Sequence, residues 1–294
     1  MSTAVFLDYD QTALDACYDQ ANWATNTALV NKRNNAASDD ARKRMPPAQR
    51  VAYGSGAMEH LDIFRTARAN APVFVFVHGG AWKANTSSRH AYMAEPFVAA
   101  GAHAVLVDFD GVEDVGGSLL TVIDQVRRAV AWVYANAASF GGDRTRIHVA
   151  GHSSGAHLTG CALVTDWSAY GVPHDIIAGA LVCSGMYELD PVALSARRLY
   201  VNFDAETIAQ LSSQRHIERI AFPVIVAYGT EESPEFQRQN RDYAAALQAA
   251  GKPATLLVGQ GYNHFEMPET LGNPYGLLGH AMCAQMGLTT STVG

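Results

Sequence analysis

The chain has 294 residues, 48% of them hydrophobic and 17% charged, with no low-complexity tract, which excludes a disordered or fibrous protein and leaves a globular one. Its 21 Lys and Arg stand against 28 Asp and Glu for a net charge of -7, a balance that gives no footprint for nucleic acid or an anionic membrane and suits a small-molecule substrate. The N-terminus lacks a basic, apolar leader, the apolar runs have strand length, and Cys17, Cys161, Cys183 and Cys283 lie far apart without metal-ligand spacing; a soluble, cytoplasmic protein free of disulfides is expected.

Residues 11–45 are polar and rich in Ala and Asn around Tyr18 and Trp23, and are expected to be helical and to lie over the body. The runs 50–53 and 60–64, separated by Gly54 and Gly56, read as an antiparallel hairpin at a sheet edge. From residue 72 onward, short apolar runs alternate with helical patterns. Residues 72–77 form a strand buried on both faces, followed by a Gly-rich loop, and 103–109 form the next strand. Over 119–138, Leu119, Val122, Ile123, Val126, Val130 and Val133 recur near the 3.6-residue period of an amphipathic helix. A strand at 146–150 leads into a helix of small residues at 154–165. Strands at 178–184 and 223–228, a helix at 236–250, a strand at 254–258 and a helix at 275–286 complete the chain. This alternation predicts an α/β fold, a mostly parallel sheet covered by helices on both faces. One domain over 1–294 is expected, with cap segments at about 8–45 and 187–219.

The sharpest motif is Gly151-His152-Ser153-Ser154-Gly155, a G-x-S-x-G placed directly between an apolar strand and a helix. A nucleophile on such a turn is held exposed in strained backbone, and the helix N-terminus behind it favours a developing oxyanion. Alone the pattern is common; in strand–turn–helix context it points to Ser153 as a nucleophile. The second motif, His78-Gly79-Gly80-Ala81-Trp82, follows the strand ending at Val77. Its glycines leave backbone N–H groups unobstructed, so Gly79, Gly80 and the N–H of Ser154 are the expected oxyanion hole. His78 reads as a loop-orienting residue rather than a base.

In the order Ser, acid, His, the base comes late in the chain. His264, in Gly261-Tyr-Asn-His-Phe265, lies on a loop just after the last strand and is the expected general base. His152, within the elbow, His157 behind it, His148 in a strand and His280 in the final helix read as structural. The acid falls in Gly229-Thr-Glu-Glu-Ser-Pro-Glu235, which has no Asp; Glu232 is the first choice, Glu231 the second and Glu235 the third. Trp82, Trp23 and Tyr187 are the aromatics placed in sequence to stack on an aryl substrate, with core packing the equal alternative for each.

These segments resemble the kynurenine formamidase-like (arylformamidase) branch of the α/β-hydrolase superfamily, which borders the hormone-sensitive-lipase-like carboxylesterases. The resemblance rests on His78 to Trp82, Gly141 to Leu158, Ser233 to Gln239 and Asn263-His-Phe265, and spans roughly residues 10 to 287. The family usually carries Asp where Glu232 stands. The resemblance implies an α/β-hydrolase fold and a serine hydrolase that cleaves an amide or ester through an acyl-enzyme, with an arylformamidase activity foremost. No metal or organic cofactor is called for. A broad-specificity carboxylesterase shares every one of these residues, and a non-catalytic binding module on the same fold is the remaining reading.

Overall fold

The computed structural model describes residues 3–83 and 85–289; residues 1 and 2 of the N-terminal stretch and the last five residues of the expected domain lie outside that range. Its strands are β1 (Gln49–Ala52), β2 (His60–Phe64), β3 (Ala71–Val77), β4 (His103–Val107), β5 (Gly142–His152), β6 (Gly179–Cys183), β7 (Val224–Gly229) and β8 (Ala254–Gly259). They form one sheet in the order β1-β2-β4-β3-β5-β6-β7-β8. The pairs β1–β2 and β2–β4 are antiparallel, and the pairs from β4–β3 to β7–β8 are parallel. The helices, in chain order, are α1 (Gln11–Cys17), α2 (Thr27–Arg44), α3 (Glu95–Ala99), α4 (Leu119–Asn136) and α5 (Ser154–Leu163). After them come α6 (Asp190–Leu194), α7 (Ala205–Leu211), α8 (Pro234–Ala249), α9 (Met267–Leu271) and α10 (Leu277–Gln285).

Successive side chains on a strand face opposite sides of its sheet, and this alternation divides the core in two. On one side Val73, Val75 and Val77 of β3 join Val122 and Val126 of α4 and Leu158 of α5. On the other, Phe74 and Phe76 join Phe97 of α3 and Met282 of α10, with Phe74 stacked on Phe97 at 3.8 Å between centroids. Every residue of β3 is buried, which is why its sequence is continuously apolar rather than alternating.

The structure departs from the periodicity in small ways. The helix expected to run to 138 ends at Asn136 and tightens into a 3₁₀ turn, Ala137–Phe140, stopped by Gly141 at φ 90°. Strand β5 begins at Gly142 rather than 146, since a register shift between Ala71 and Val73 of β3 lets the longer strand keep its pairing. The five-residue helices α3 and α9 were not expected; each opens with a proline in its first turn and is too short for an amphipathic period to show. The segments 8–45 and 187–219 touch each other: Gln11 Nε2 donates to the Leu194 carbonyl at 2.9 Å, and Arg197 Nη2 to the Tyr18 carbonyl at 2.8 Å.

Candidate active site

The carboxyl ends of β3, β5 and β8 open toward one cavity of about 670 Å³, the end of a parallel sheet where open α/β folds bind ligands. Ser153 sits between β5 and α5 at φ 58°, ψ -126°, a backbone region that costs a non-glycine residue on the order of 1–3 kcal/mol. Packing holds it there. The Ser153 N–H donates to the Cys183 carbonyl at the end of β6, at 2.9 Å, and α5 lies close against β3. A Cβ on Gly155 would stand 2.2 Å from the Val77 carbonyl oxygen, and one on Gly151 would stand 2.3 Å from Thr159 Oγ1. Only glycine permits both approaches.

His264 Nε2 lies 2.8 Å from Ser153 Oγ, and its Nδ1 lies 3.0 Å from Glu232 Oε2. The other oxygen, Oε1, accepts from Ser184 Oγ at 2.6 Å and from the Gly229 N–H at 2.7 Å. Both His264 and Glu232 are buried. The three carboxylates proposed from sequence thus separate. Glu231 is exposed, while Glu235 is buried in another network, accepting from Tyr18 Oη at 3.0 Å and paired with Arg238 at 2.8 Å. Ser184, at φ 57° just past β6, had no sequence signal; its position depends on β6 and β7 lying side by side.

His152 holds the His264 loop in place. Burial pushes it well below the ordinary histidine range, so the ring is neutral and its Nε2–H donates to the His264 carbonyl at 2.9 Å. Asn263 Oδ1 closes the same loop by accepting the Phe265 and Glu266 N–H groups at 3.0 and 3.2 Å. Edge-on contact with Phe236, 5.0 Å between centroids, completes the setting of the imidazole.

In the glycine loop, Asn85 Nδ2 donates to the Gly79 carbonyl at 2.9 Å, and His78 Nδ1 lies 3.0 Å from the same oxygen. Across a trans peptide the C=O and N–H point in opposite directions, so fixing the Gly79 carbonyl also fixes the direction of the Gly80 N–H. His78 itself stacks on Phe109 at 4.3 Å, and burial lowers its pKa. Ser154 opens α5, where first-turn N–H groups have no partner within the helix. Asn85 carries no motif of its own and was missed in sequence.

The three aromatics expected against substrate stand elsewhere. Trp82, at φ 59°, turns beneath the loop, where it is 1% exposed and donates from Nε1 to His157 Nδ1 at 3.1 Å. Tyr187 is fully buried, stacked on Tyr243 at 4.0 Å and bonded to Asn240 at 3.1 Å. Trp23 is exposed and donates to the Ala16 carbonyl at 3.0 Å. Each polar tip is satisfied away from the cavity, whose described aromatic lining is Tyr18, Tyr92, Tyr200 and Phe265. Among the described residues, no group of three His, Cys, Asp or Glu side chains is arranged to hold a metal ion, and no helix is long and apolar enough to cross a membrane.

A BD-FAE family model matches residues 61–169. The chain is 33% identical to the kynurenine formamidase of Salmo salar over 75% of its own length and 76% of that protein. It is 28% identical to the Danio rerio kynurenine formamidase over 86% of each. A solved structure from Silicibacter sp., provisionally named a thioesterase, superposes with a TM-score of 0.80 at 25% identity, covering 91% of this chain and 97% of that one.

Proposed function

The chain belongs to the kynurenine formamidase family of α/β-hydrolases, and on that footing we propose that it hydrolyses an amide or ester through a covalent acyl-serine on Ser153, an N-formyl arylamide foremost. The observation that carries this reading is the run of hydrogen bonds from Ser153 Oγ through His264 to Glu232, at 2.8 and 3.0 Å.

The chemistry follows from that geometry. His264 Nε2 takes the Ser153 proton as Oγ attacks the substrate carbonyl, and Glu232 stabilises the imidazolium that results. The oxyanion draws on the N–H groups of Gly79, Gly80 and Ser154, each donor of this kind contributing on the order of 10²–10³ in turnover. Collapse of the tetrahedral adduct breaks the bond to the leaving amine or alcohol, which receives the proton from His264. Water, deprotonated by the same imidazole, then releases the acid, formate in the case of a formamide, and restores Ser153. The segments at about 8–45 and 187–219 act as a cap: Tyr18 from the first and Arg197 and Tyr200 from the second line the cavity.

A carboxylesterase of broad specificity is the second reading, favoured by the chain's similarity to the esterase LipC of Mycobacterium tuberculosis, 29% identical over 71% of this chain and 57% of that protein. Turnover of N-formyl-L-kynurenine and of p-nitrophenyl acetate and butyrate, each with Ser153→Ala alongside, tests both. The formamidase reading expects kcat/KM for the formamide in the usual enzymatic range of about 10⁴–10⁸ M⁻¹s⁻¹, abolished in the variant. Cleavage of the esters alone replaces it by the esterase reading. Activity that survives in a folded Ser153→Ala protein refutes the acyl-serine itself.

A further inference from the structure

The loops that carry Glu232 and His264 follow β7 and β8, the last two strands of the sheet. Strand β8 is an edge, so the His264 loop has no further strand to lean on. Loops are ordinarily the mobile part of a fold, yet a misplacement of about 1 Å in a catalytic group can cost about 10² in rate. Support for both loops comes from the other end of the chain.

Two side chains of the N-terminal segment supply it, one for each loop. Gln20 is buried and meets Ser233, the residue after Glu232, with both ends of its amide: Nε2 donates to Ser233 Oγ at 2.8 Å, and Oε1 accepts the Ser233 N–H at 3.1 Å. Gln20 Nε2 and Ser233 Oγ also donate to the Cys17 carbonyl, at 3.0 and 2.6 Å, which ties the pair to the end of α1. Asn26 grips the other loop. Its Oδ1 accepts from Asn263 Nδ2 at 2.8 Å, and its Nδ2 donates to Glu266 Oε1 at 2.7 Å. Glu266 Oε2 in turn accepts the Asn263 N–H at 3.1 Å. His264 therefore lies between two residues that Asn26 holds. Because Asn26 offers an acceptor to the Asn263 amide nitrogen, the Asn263 oxygen is turned to the Phe265 and Glu266 N–H groups that close the loop.

We propose that Gln20 and Asn26 are positioning residues for the catalytic groups: the N-terminal segment clamps the acid loop and the histidine loop together, and so sets the alignment of Glu232 and His264 rather than only covering the substrate. The proposal rests on the acyl-serine reading and adds the residues that hold its proton relay in line.

Reversing the polarity of the bond between Asn26 and Glu266 tests it. Asn26→Asp keeps an acceptor for Asn263 but sets a carboxylate against Glu266 where a donor stood. Adding Glu266→Gln restores the bond with donor and acceptor exchanged, at unchanged net charge, and leaves an oxygen for the Asn263 N–H. Asn26 is not part of the described cavity lining, so the substrate's own contacts are kept. Turnover of p-nitrophenyl acetate is measured for the parent, Gln20→Ala, both single variants of the pair and the double variant, with thermal unfolding to show that each is folded at the assay temperature. Asn26→Asp is expected to lower kcat about tenfold or more with KM nearly unchanged, and the double variant to recover most of that loss. Gln20→Ala lowers kcat as well, through Glu232. The low-field proton resonance of the hydrogen bond between His264 Nδ1 and Glu232 reads the same alignment without substrate; it should shift or broaden in Asn26→Asp and return in the double variant. A folded Asn26→Asp or Gln20→Ala protein with the parent kcat overturns the proposal. So does an Asn26→Asp protein changed in KM alone, which makes the segment a substrate cover, or a double variant no better than Asn26→Asp. Failure of the acyl-serine reading shows separately, as turnover that survives Ser153→Ala or a parent protein that turns over neither ester nor formamide, and the resonance then still decides whether the clamp aligns the pair.

Discussion

Replacing Glu232 by Gln removes one charge and exchanges one acceptor for a donor at almost constant volume. Ser184 Oγ and the Gly229 N–H both approach Oε1, at 2.6 and 2.7 Å, and the backbone donor cannot turn away. The amide therefore keeps its oxygen toward them and presents its NH₂ to His264 Nδ1. That ring nitrogen must then accept, which moves the imidazole proton to Nε2, where it faces Ser153 Oγ across 2.8 Å as a donor instead of an acceptor. Restoring the basic tautomer breaks one buried hydrogen bond and opposes two donors, and the imidazolium formed during attack loses its counter-charge. Together these cost about 3–5 kcal/mol, or about 10²–10⁴-fold in kcat. The assay is kcat and KM on p-nitrophenyl acetate for wild type, Glu232→Gln and Glu232→Ala, with thermal unfolding to show that each variant is folded. A folded Gln variant that keeps more than about one tenth of wild-type kcat refutes the tautomer argument and moves the acid's role away from Glu232.

Gly155→Ala gains about 1 kcal/mol of helix propensity but drives a methyl group to 2.2 and 2.4 Å from the Val77 and His78 carbonyl oxygens, backbone atoms that cannot swing aside. A net loss of about 2 kcal/mol is expected, read as a lower urea midpoint, with activity falling because the displaced backbone leads into the glycine loop; an unchanged midpoint counts against this close approach. Acid lability is the third expectation. Burial pushes His157 and His148 down to about 4, so below the ordinary histidine value near 6.5 the unfolded chain binds protons that the native protein refuses. Stability is therefore full above pH 6.5 and lost as pH falls toward 4, by up to about 3 kcal/mol for each histidine. Urea midpoints at pH 7.5 and 4.5 measure it. His157→Gln, with one fewer titrating group, should lose less over that interval, and a wild-type midpoint independent of pH would remove these buried histidines as the cause.

What the sequence determined alone is what neighbouring residues decide between themselves. The continuous apolar run of β3, the helical period of α4 and the glycines flanking Ser153 all act through backbone geometry over a few residues, so the mostly parallel sheet and the strand–turn–helix about Ser153 were legible there. The tertiary structure decided matters of distance in space. Three glutamates lie within the stretch 231–235, and the one that meets His264 is selected by Ser184 and Gly229 at the ends of two adjacent strands. The sequence left Trp82 open between stacking on substrate and packing in the core, and a left-handed turn carries it under the loop to His157. Arg197 gave no signal in the sequence, since a lone arginine in a polar segment is ordinarily solvated. Its setting comes from Tyr18, 179 positions earlier in the chain, whose carbonyl accepts from Arg197 Nη2 and holds the buried guanidinium in place. Such side-chain pairings arise only when distant segments are packed together, and no local pattern of residue types records them.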